Sequence, residues 1–528
     1  MYNQPFYPIG IQDFEKLRSL NALYVDKTEL IYKLVHTSTT VFLSRPRRFG
    51  KSLLSSTLQY YFEGRKDLFT GLAMERLEQD WTKHPVLHFD LSMVKGKDLK
   101  AIEEGISFQL RQFEAIYGKD EEATSLSSRL SNLIQNANTQ SGQKVVIIID
   151  EYDAPILDVL HDEEKREAIR EMLRAFYTPL KACDRNLRFV FLTGISMFSQ
   201  LSIFSELNNL EIISRRSDYA SICGITEQEL RDNFQYGIEQ MSEALGCSSE
   251  ETVSRLRDAY DGYHFCADSD GIFNPFSLLN AFKNNELDSY WFRSGTPRFL
   301  IEMLTKYKQE GLFDVTDLDS TQPVDASDFE SPLEMHAGAL PLLYQAGYLT
   351  IKDYDAESSV YTLGIPNSEV RVGLLKNLLP LYADIRNIGS VVSRTSTAFR
   401  KGDIEQAMQL FQSMLASIPY MRGDKEILSD IAKTEAHYHI IFYFFFRMLY
   451  NEVYAEIRNA TGATDVTIKT TKYIYLVEIK IDSTADAALR QIDEKGYATP
   501  YLADGRQLIK LGINFSTATR TISAWRQA

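Results

Sequence analysis

Through roughly the first 225 of its 528 residues, the chain alternates short unbroken apolar runs with longer stretches in which apolar residues recur every three or four positions. Such runs predict strands buried on both faces, and the longer stretches predict the crossover helices that a parallel sheet requires. The strand candidates are 40–44, 86–91, 145–150 and 187–193, with helices at 52–62, 99–117 and 163–183. From 226 to about 307 the pattern turns helical. It opens at Thr226-Glu-Gln-Glu229, where a threonine three residues before a glutamate forms a capping box. Aromatic stretches at Tyr260-Asp-Gly-Tyr-His-Phe265 and Phe273-Asn-Pro-Phe-Ser277 predict a packed corner rather than a cofactor box. A helix at 340–348 followed by strands at 349–354 and 360–363 has the order of a winged-helix module; without a basic recognition helix it reads as a lid. A helical connector at 387–428 leads to a tail in which 473–480 alternates like a strand. The expected organisation is an α/β multidomain chain, divided as 1–225 (parallel sheet), 226–385 (helical and winged-helix lid), 386–430 (connector) and 431–528 (a second α/β domain).

The first strand runs into Arg45-Pro-Arg-Arg-Phe-Gly-Lys-Ser52, a loop closing on Gly-Lys-Ser in the manner of a phosphate-binding loop. The stretch Arg47, Arg48, Phe49, Gly50, Lys51 and Ser52 is the expected ATP site, with backbone N–H groups and a helix start forming an anion cradle. Lys51 is expected to reach the β- and γ-phosphates. A full loop of this kind has glycine five residues before Gly50, and here that position is Arg45. The second signal is Lys144-Val-Val-Ile-Ile-Ile-Asp-Glu151, a buried strand with two acids at its carboxyl end, where ligands sit in open α/β sheets. Ser52 and Asp150 are expected to hold Mg²⁺, and Glu151 to polarise the attacking water. Thr193, ending the fourth strand, is either a polar sensor of the γ-phosphate or a strand-end threonine satisfied by its neighbours.

The tail holds a separate constellation. Glu478 and Lys480 are two apart on a strand and share a face. A turn near 469–472 brings the preceding strand, with Asp465, alongside. Two carboxylates and a lysine on adjoining strands suit phosphodiester hydrolysis: Asp465, Glu478 and the Ile479 carbonyl hold a hard cation, Mg²⁺ or Mn²⁺, and Lys480 orients or deprotonates water. Glu435 on the helix before and Gln491 on the helix after complete the set. His437 and His439 are two apart on a helix, face different ways and read as structural.

Composition narrows the partners. A net charge of −15 argues against nucleic acid binding over the whole surface, but 431–528 carries 12 Lys and Arg against 10 acids, so contact with a polyanion falls to the tail. Four cysteines without Cys-x-x-Cys pairing suit a reducing compartment and packing roles. No signal peptide is evident, and the most apolar run, 440–446, is too short to span a bilayer. The expectation is a cytoplasmic protein without a membrane partner.

These segments, together with Tyr24-Val-Asp-Lys-Thr28, Ile149-Asp-Glu-Tyr-Asp153, Leu192-Thr-Gly-Ile-Ser196, Gly347-Tyr-Leu-Thr350, Val477-Glu-Ile-Lys480 and Gln491-Ile-Asp-Glu-Lys-Gly-Tyr497, resemble a bacterial family of AAA-ATPase-like proteins with a C-terminal PD-(D/E)XK nuclease-superfamily domain. The resemblance runs nearly end to end. It implies a P-loop AAA-like parallel sheet, a helical and winged-helix lid and a PD-(D/E)XK-like α/β tail, with Arg-Arg-Phe-Gly-Lys-Ser as the family's own loop variant. In the family the hairpin aspartate commonly follows Gly-Arg-x. Here the run is Gly462-Ala-Thr-Asp465, which keeps both carboxylates and removes one cation from contact with a phosphate backbone. The leading reading is an ATP-driven or ATP-gated nuclease acting on invading or mobile DNA. The alternatives are a signalling or scaffold ATPase with a degenerate nucleic-acid-binding tail, or an ATP-dependent oligomeric switch whose tail is a protein interface. AAA-type sites usually lie between subunits, which implies a homo-oligomer with Arg215 or Arg216 as arginine fingers.

Overall fold

The computed structural model describes residues 5–528 except 95, 97, 158, 161, 197–208, 295–297, 314–317, 319–322, 332–337, 380–387, 417–443, 449–452, 455–464, 471, 503 and 520. The chain divides into two compact units, Met1–Glu369 and Val370–Ala528.

The first unit is built on a five-stranded parallel sheet of β1 (Thr40–Ser44), β2 (Val86–Asp90), β3 (Val145–Asp150), β4 (Leu187–Gly194) and β5 (Glu211–Ile212). Their spatial order is β2-β3-β4-β1-β5. The run Val145 to Ile149 is fully buried, as an unbroken β-branched strand in a sheet covered on both faces should be. Because β4 lies between β1 and β3, the phosphate-type loop and the Asp-Glu pair flank the end of β4. The register pairs Leu43 with Thr193 and Ile149 with Leu192, which brings the three carboxyl ends level.

The expected helix at 163–183 is two helices, Glu163–Tyr177 and Pro179–Ala182. Pro179 has no N–H to continue the ladder and starts the second helix instead. The helix Leu99–Tyr117 falls where periodicity put it.

The Thr226 capping box is formed: Glu229 N–H donates to the Thr226 hydroxyl at 3.2 Å, and Thr226 N–H to the Glu229 carboxylate at 2.8 Å. The two short strands β6 (Ile225–Thr226) and β7 (Ile272–Phe273) pair, and helices Gln235–Leu245, Ser249–Tyr260 and Pro275–Asn284 pack around Phe234, Leu256 and Phe282. The helix Ala339–Gln345 and the hairpin of β8 (Thr350–Asp355) and β9 (Val360–Gly364) follow in the order expected of the lid.

In the second unit, helices Ile388–Lys401 and Ile404–Ala416 precede a mixed sheet, β10 (Val453–Tyr454), β11 (Val466–Lys469), β12 (Tyr473–Ile481), β13 (Gln507–Ser516) and β14 (Thr521–Gln527), paired in that order. Neighbours β11 and β12 are antiparallel, and β12 and β13 parallel, with helix Ala485–Glu494 as the crossover. Strand β11 begins at Val466, so Asp465 stands at its mouth rather than inside it.

Candidate functional site

The loop between β1 and helix Lys51–Phe62 is set by two left-handed residues, Arg48 at φ 71° and Gly50 at φ 93°, with Phe49 between them. Phe49 is buried and stands edge-on to Tyr263 (4.8 Å) and Phe265 (5.4 Å), so the aromatic corner is core that receives the loop. Trp291 holds the same loop by donating its indole N–H to the Arg47 carbonyl at 3.3 Å, and the Arg48 guanidinium lies 4.1 Å from the Phe276 ring. Gly347 abuts Pro46, where a Cβ would come within 2.5 Å of the proline ring. Arg45 turns inward, its guanidinium donating to the carbonyls of Ser44, Ser214, Tyr219 and Ala220. Lys51 is buried and donates to the carbonyls of Arg45 (3.0 Å) and Pro46 (3.2 Å).

Across the sheet, Asp150 is 3% exposed. Burial pushes its carboxyl up to about 6, opposed by a Ser52 hydrogen bond and Lys51 and reinforced by Glu151 and Asp90. Asp150 Oδ1 and Thr193 Oγ1 are both buried with no hydrogen-bond partner among the described residues. Glu151 sits next to Asp150 with its backbone at φ 51°.

A cleft of about 680 Å³ joins Arg47, Arg48, Gly50, Lys51, Ser52 and Glu151 to residues 8–12 and to Pro275 and Phe276. Arg215 and Arg216 are both engaged within the chain. Arg215 pairs with Glu330 at 2.9 Å, and Arg216 pairs with Glu211 and Asp218.

In the second unit the carboxylates of Asp465 and Glu478 come together. Asp465 Oδ2 accepts from the Ile479 N–H at 2.7 Å, directly beside Glu478. Glu478 is 1% exposed, and burial, then Asp465, pushes it up to about 7, with Lys480 pulling the other way. Lys480 Nζ (3.3 Å) and the Gln491 amide both donate to Glu478 Oε1, while Oε2 is buried with no partner among the described residues. Glu435, with His437 and His439, lies outside the described residues, as does Gly462-Ala-Thr464.

Residues 8–204 match the family described as "Predicted AAA-ATPase", and residues 433–525 match the PD-(D/E)XK nuclease superfamily. A protein of Azotobacter chroococcum mcd 1 named "Uncharacterized protein in vnfD 5'region" is 36% identical over 527 residues, covering 98% of this chain and 97% of its own. This chain belongs to the AAA-ATPase-like family with a C-terminal PD-(D/E)XK nuclease-superfamily domain.

In this AAA-ATPase-like chain the fold collects Lys51, Ser52, Asp150, Glu151 and Thr193 at the carboxyl ends of β1, β3 and β4, and Asp465, Glu478, Lys480 and Gln491 around β12 of the second unit. Sequence reasoning missed the inward role of Arg45 and the part of Asp153, fully buried and bonded to Ile195 and Ser196. The third acid of Ile149-Asp-Glu-Tyr-Asp153 was the available signal. Among the described residues no helix is long and apolar enough to cross a membrane.

Proposed function

We propose that this chain binds ATP with Mg²⁺ in the β1 loop, hydrolyses it, and uses that cycle to drive or gate a metal-dependent nuclease site in its C-terminal unit, acting on nucleic acid in the processing of, or defence against, mobile DNA. One observation carries the ATP reading. Asp150 Oδ1 and Thr193 Oγ1 are buried and unpartnered beside Lys51 and Glu151, and such groups cost about 1–3 kcal/mol each unless a ligand satisfies them. The residues fit the group the family implies. The N–H groups of Arg47 to Ser52 and Lys51 would hold the phosphates, and Ser52 and Asp150 the Mg²⁺. The apolar lining residues Ile9, Ile11 and Phe276 suit a nucleobase.

When bound, ATP and Mg²⁺ supply an activated phosphoryl group with its charge partly neutralised. Lys51 moves from the Arg45 and Pro46 carbonyls to the phosphate oxygens. Glu151 orients the attacking water, and Thr193 donates its hydroxyl to the nucleotide.

At the tail, Glu478 Oε2 is the orphaned atom. Together with Asp465 it offers a hard cation two carboxylates, and Lys480 stands one side-chain repeat away to orient the water.

The test is calorimetric titration of ATP·Mg²⁺ into the parent and Lys51→Ala, followed by incubation with single- and double-stranded DNA and RNA in Mn²⁺ and ATP. Loss of most affinity in the variant and metal-dependent cleavage by the parent are expected. Equal binding by both proteins would sink the ATP site. Intact substrates with nucleotide bound would replace the nuclease by an ATP-dependent signalling or scaffold switch.

A further inference from the structure

The hydrogen-bond ladder between β3 and β4 ends at Ile149 and Leu192, one residue short of the groups that matter. Beyond it a second set of bonds takes over. Tyr152 N–H donates to the Thr193 carbonyl at 3.0 Å, and the Tyr152 hydroxyl to the Ser196 carbonyl at 3.0 Å. The Asp153 carboxylate, fully buried, accepts from Ile195 N–H (3.0 Å), Ser196 N–H (2.7 Å) and the Ser196 hydroxyl (2.6 Å), all through Oδ2. Gly194 makes the approach possible, since a Cβ there would fall 2.6 Å from Asp153 Oδ1 and from the Tyr152 ring.

Among the described residues no cation pairs with Asp153; its Oδ2 is held by oriented N–H and O–H dipoles alone, and its Oδ1 is buried without a hydrogen-bond partner. Removing a carboxylate from water for one two-residue segment is a costly way to gain stability. It is an effective way to fix geometry. Glu151 adopts φ 51°, a conformation that a non-glycine residue keeps only where its surroundings over-determine it. On one side it is fixed by Asp150 in the sheet, paired in register with Asp90. On the other it is fixed by Tyr152, whose ring is buried edge-on to Phe42 at 5.4 Å.

We infer that Asp153, with Tyr152, is a positioning residue for ATP hydrolysis, a clamp that makes Glu151 at the end of β3 and Thr193 at the end of β4 a single rigid unit. This rests on the ATPase reading above. Asp153 and Tyr152 do not themselves line the cleft, although Ile195, which Asp153 holds, does, and the Asp153 carboxylate bonds to Ile195 and Ser196 rather than to the phosphate loop or the expected metal ligands. Its loss therefore misaligns the water-orienting carboxylate against the sensor hydroxyl while the phosphate cradle stays whole.

The experiment is steady-state ATP hydrolysis, with nucleotide affinity measured separately, on the full chain and three variants. Asp153→Ala should lower kcat roughly 100-fold, the scale of an ångström-sized misplacement, with the ATP dissociation constant within about threefold of the parent. Asp153→Asn keeps an acceptor oxygen for the Ile195 and Ser196 donors and should recover most of that loss. Tyr152→Phe removes one hydroxyl from the clamp, keeps the ring against Phe42, and should lower kcat several-fold at unchanged KM. Parental kcat in Asp153→Ala overturns the inference, and so does a parallel fall in kcat and affinity that asparagine does not rescue. A parent that binds no ATP or turns none over overturns the ATPase reading and the clamp with it. A parent that hydrolyses ATP beside an equally active Asp153→Ala overturns the clamp alone.

Discussion

Replacing Phe49 with alanine separates a phosphate loop shaped by its own sequence from one shaped by the aromatic corner that receives it. The ring is 1% exposed, contacts Tyr263 and Phe265 edge-on, and its carbonyl accepts from Gly224 N–H at 3.2 Å. Truncating a buried phenylalanine to alanine costs about 3–5 kcal/mol, and the two edge-on pairs account for about 0.5–1.5 kcal/mol each. That burial offsets the left-handed backbone of Arg48, worth about 1–2 kcal/mol for a non-glycine residue. Without the ring the loop relaxes, and ATP must rebuild Arg48's conformation on binding. An added 1–2 kcal/mol corresponds to a loss of affinity of roughly 5- to 30-fold. Calorimetric titration with ATP·Mg²⁺ and thermal unfolding of the parent, Phe49→Leu and Phe49→Ala provide the measurement. Leucine keeps most of the apolar volume without the aromatic edges and should fall between the other two on both axes. If Phe49→Ala melts earlier yet binds ATP as the parent does, the ring is only core, and the claim that it shapes the loop is wrong.

Glu151→Gln is expected to bind ATP normally and hydrolyse it at least 100-fold more slowly, since an amide keeps the shape but cannot orient water as a carboxylate does; turnover at the parental rate would remove Glu151 from the site. Glu369 is buried and pushed up to about 7 by burial, against hydrogen bonds from Ser277, Trp291 and Tyr290 that lower it. Its folded pKa exceeds the unfolded value near 4.5, so its contribution is complete below that value and is lost as pH rises towards 7, about 3 kcal/mol in all. Glu369→Gln should flatten that part of the urea-unfolding stability profile, and superimposable profiles for parent and variant would count against it. Glu478→Ala is expected to abolish metal-dependent cleavage and leave ATP hydrolysis within about twofold, because the two sites occupy separate units; residual cleavage at the parental rate would show that another site cuts.

The sheet of the first unit was legible because local pattern and global environment agree: Val145 to Ile149 reads as a doubly buried strand and is one. Lys51, Ser52, Asp150 and Glu151 were legible for the same reason, since a strand end fixes where its next residues go. The role of Arg45 was not. Its partners lie on Ser214, Tyr219 and Ala220, about 170 residues away, and no spacing rule reaches that far. In the tail, alternation placed Glu478 and Lys480 on one face, and the antiparallel register of β11 and β12 set Asp465 near them. Sequence could not say that Lys480 and Gln491 would both donate to the same Glu478 oxygen and leave the other bare, because that depends on the tilt of the crossover helix Ala485–Glu494.

The absence of glycine at position 45 has a physical resolution. In a full phosphate loop a small residue there lets the chain wrap the anion closely. Here the side chain leaves the loop altogether. The guanidinium is 1% exposed, stacks 3.9 Å over the Phe265 ring, and donates to Ser44 and Ser214 carbonyls at 2.9 and 2.7 Å. Burial pushes it down to about 10, so it remains charged at neutral pH. Among the described residues no acid pairs with it; the two terminal nitrogens of its planar fork meet four carbonyls over an aromatic face, as a lysine ammonium cannot, while Nε is left without a hydrogen-bond partner. Arg45 is therefore committed to tying the loop to the segment after β5. That segment also carries Arg215, whose guanidinium pairs with Glu330, so the loop is tied through it to the helix Ala326–Glu330. Lys51, Arg47 and Arg48 are left to line the cleft, and under the proposed function the charge of a nucleotide would fall to them.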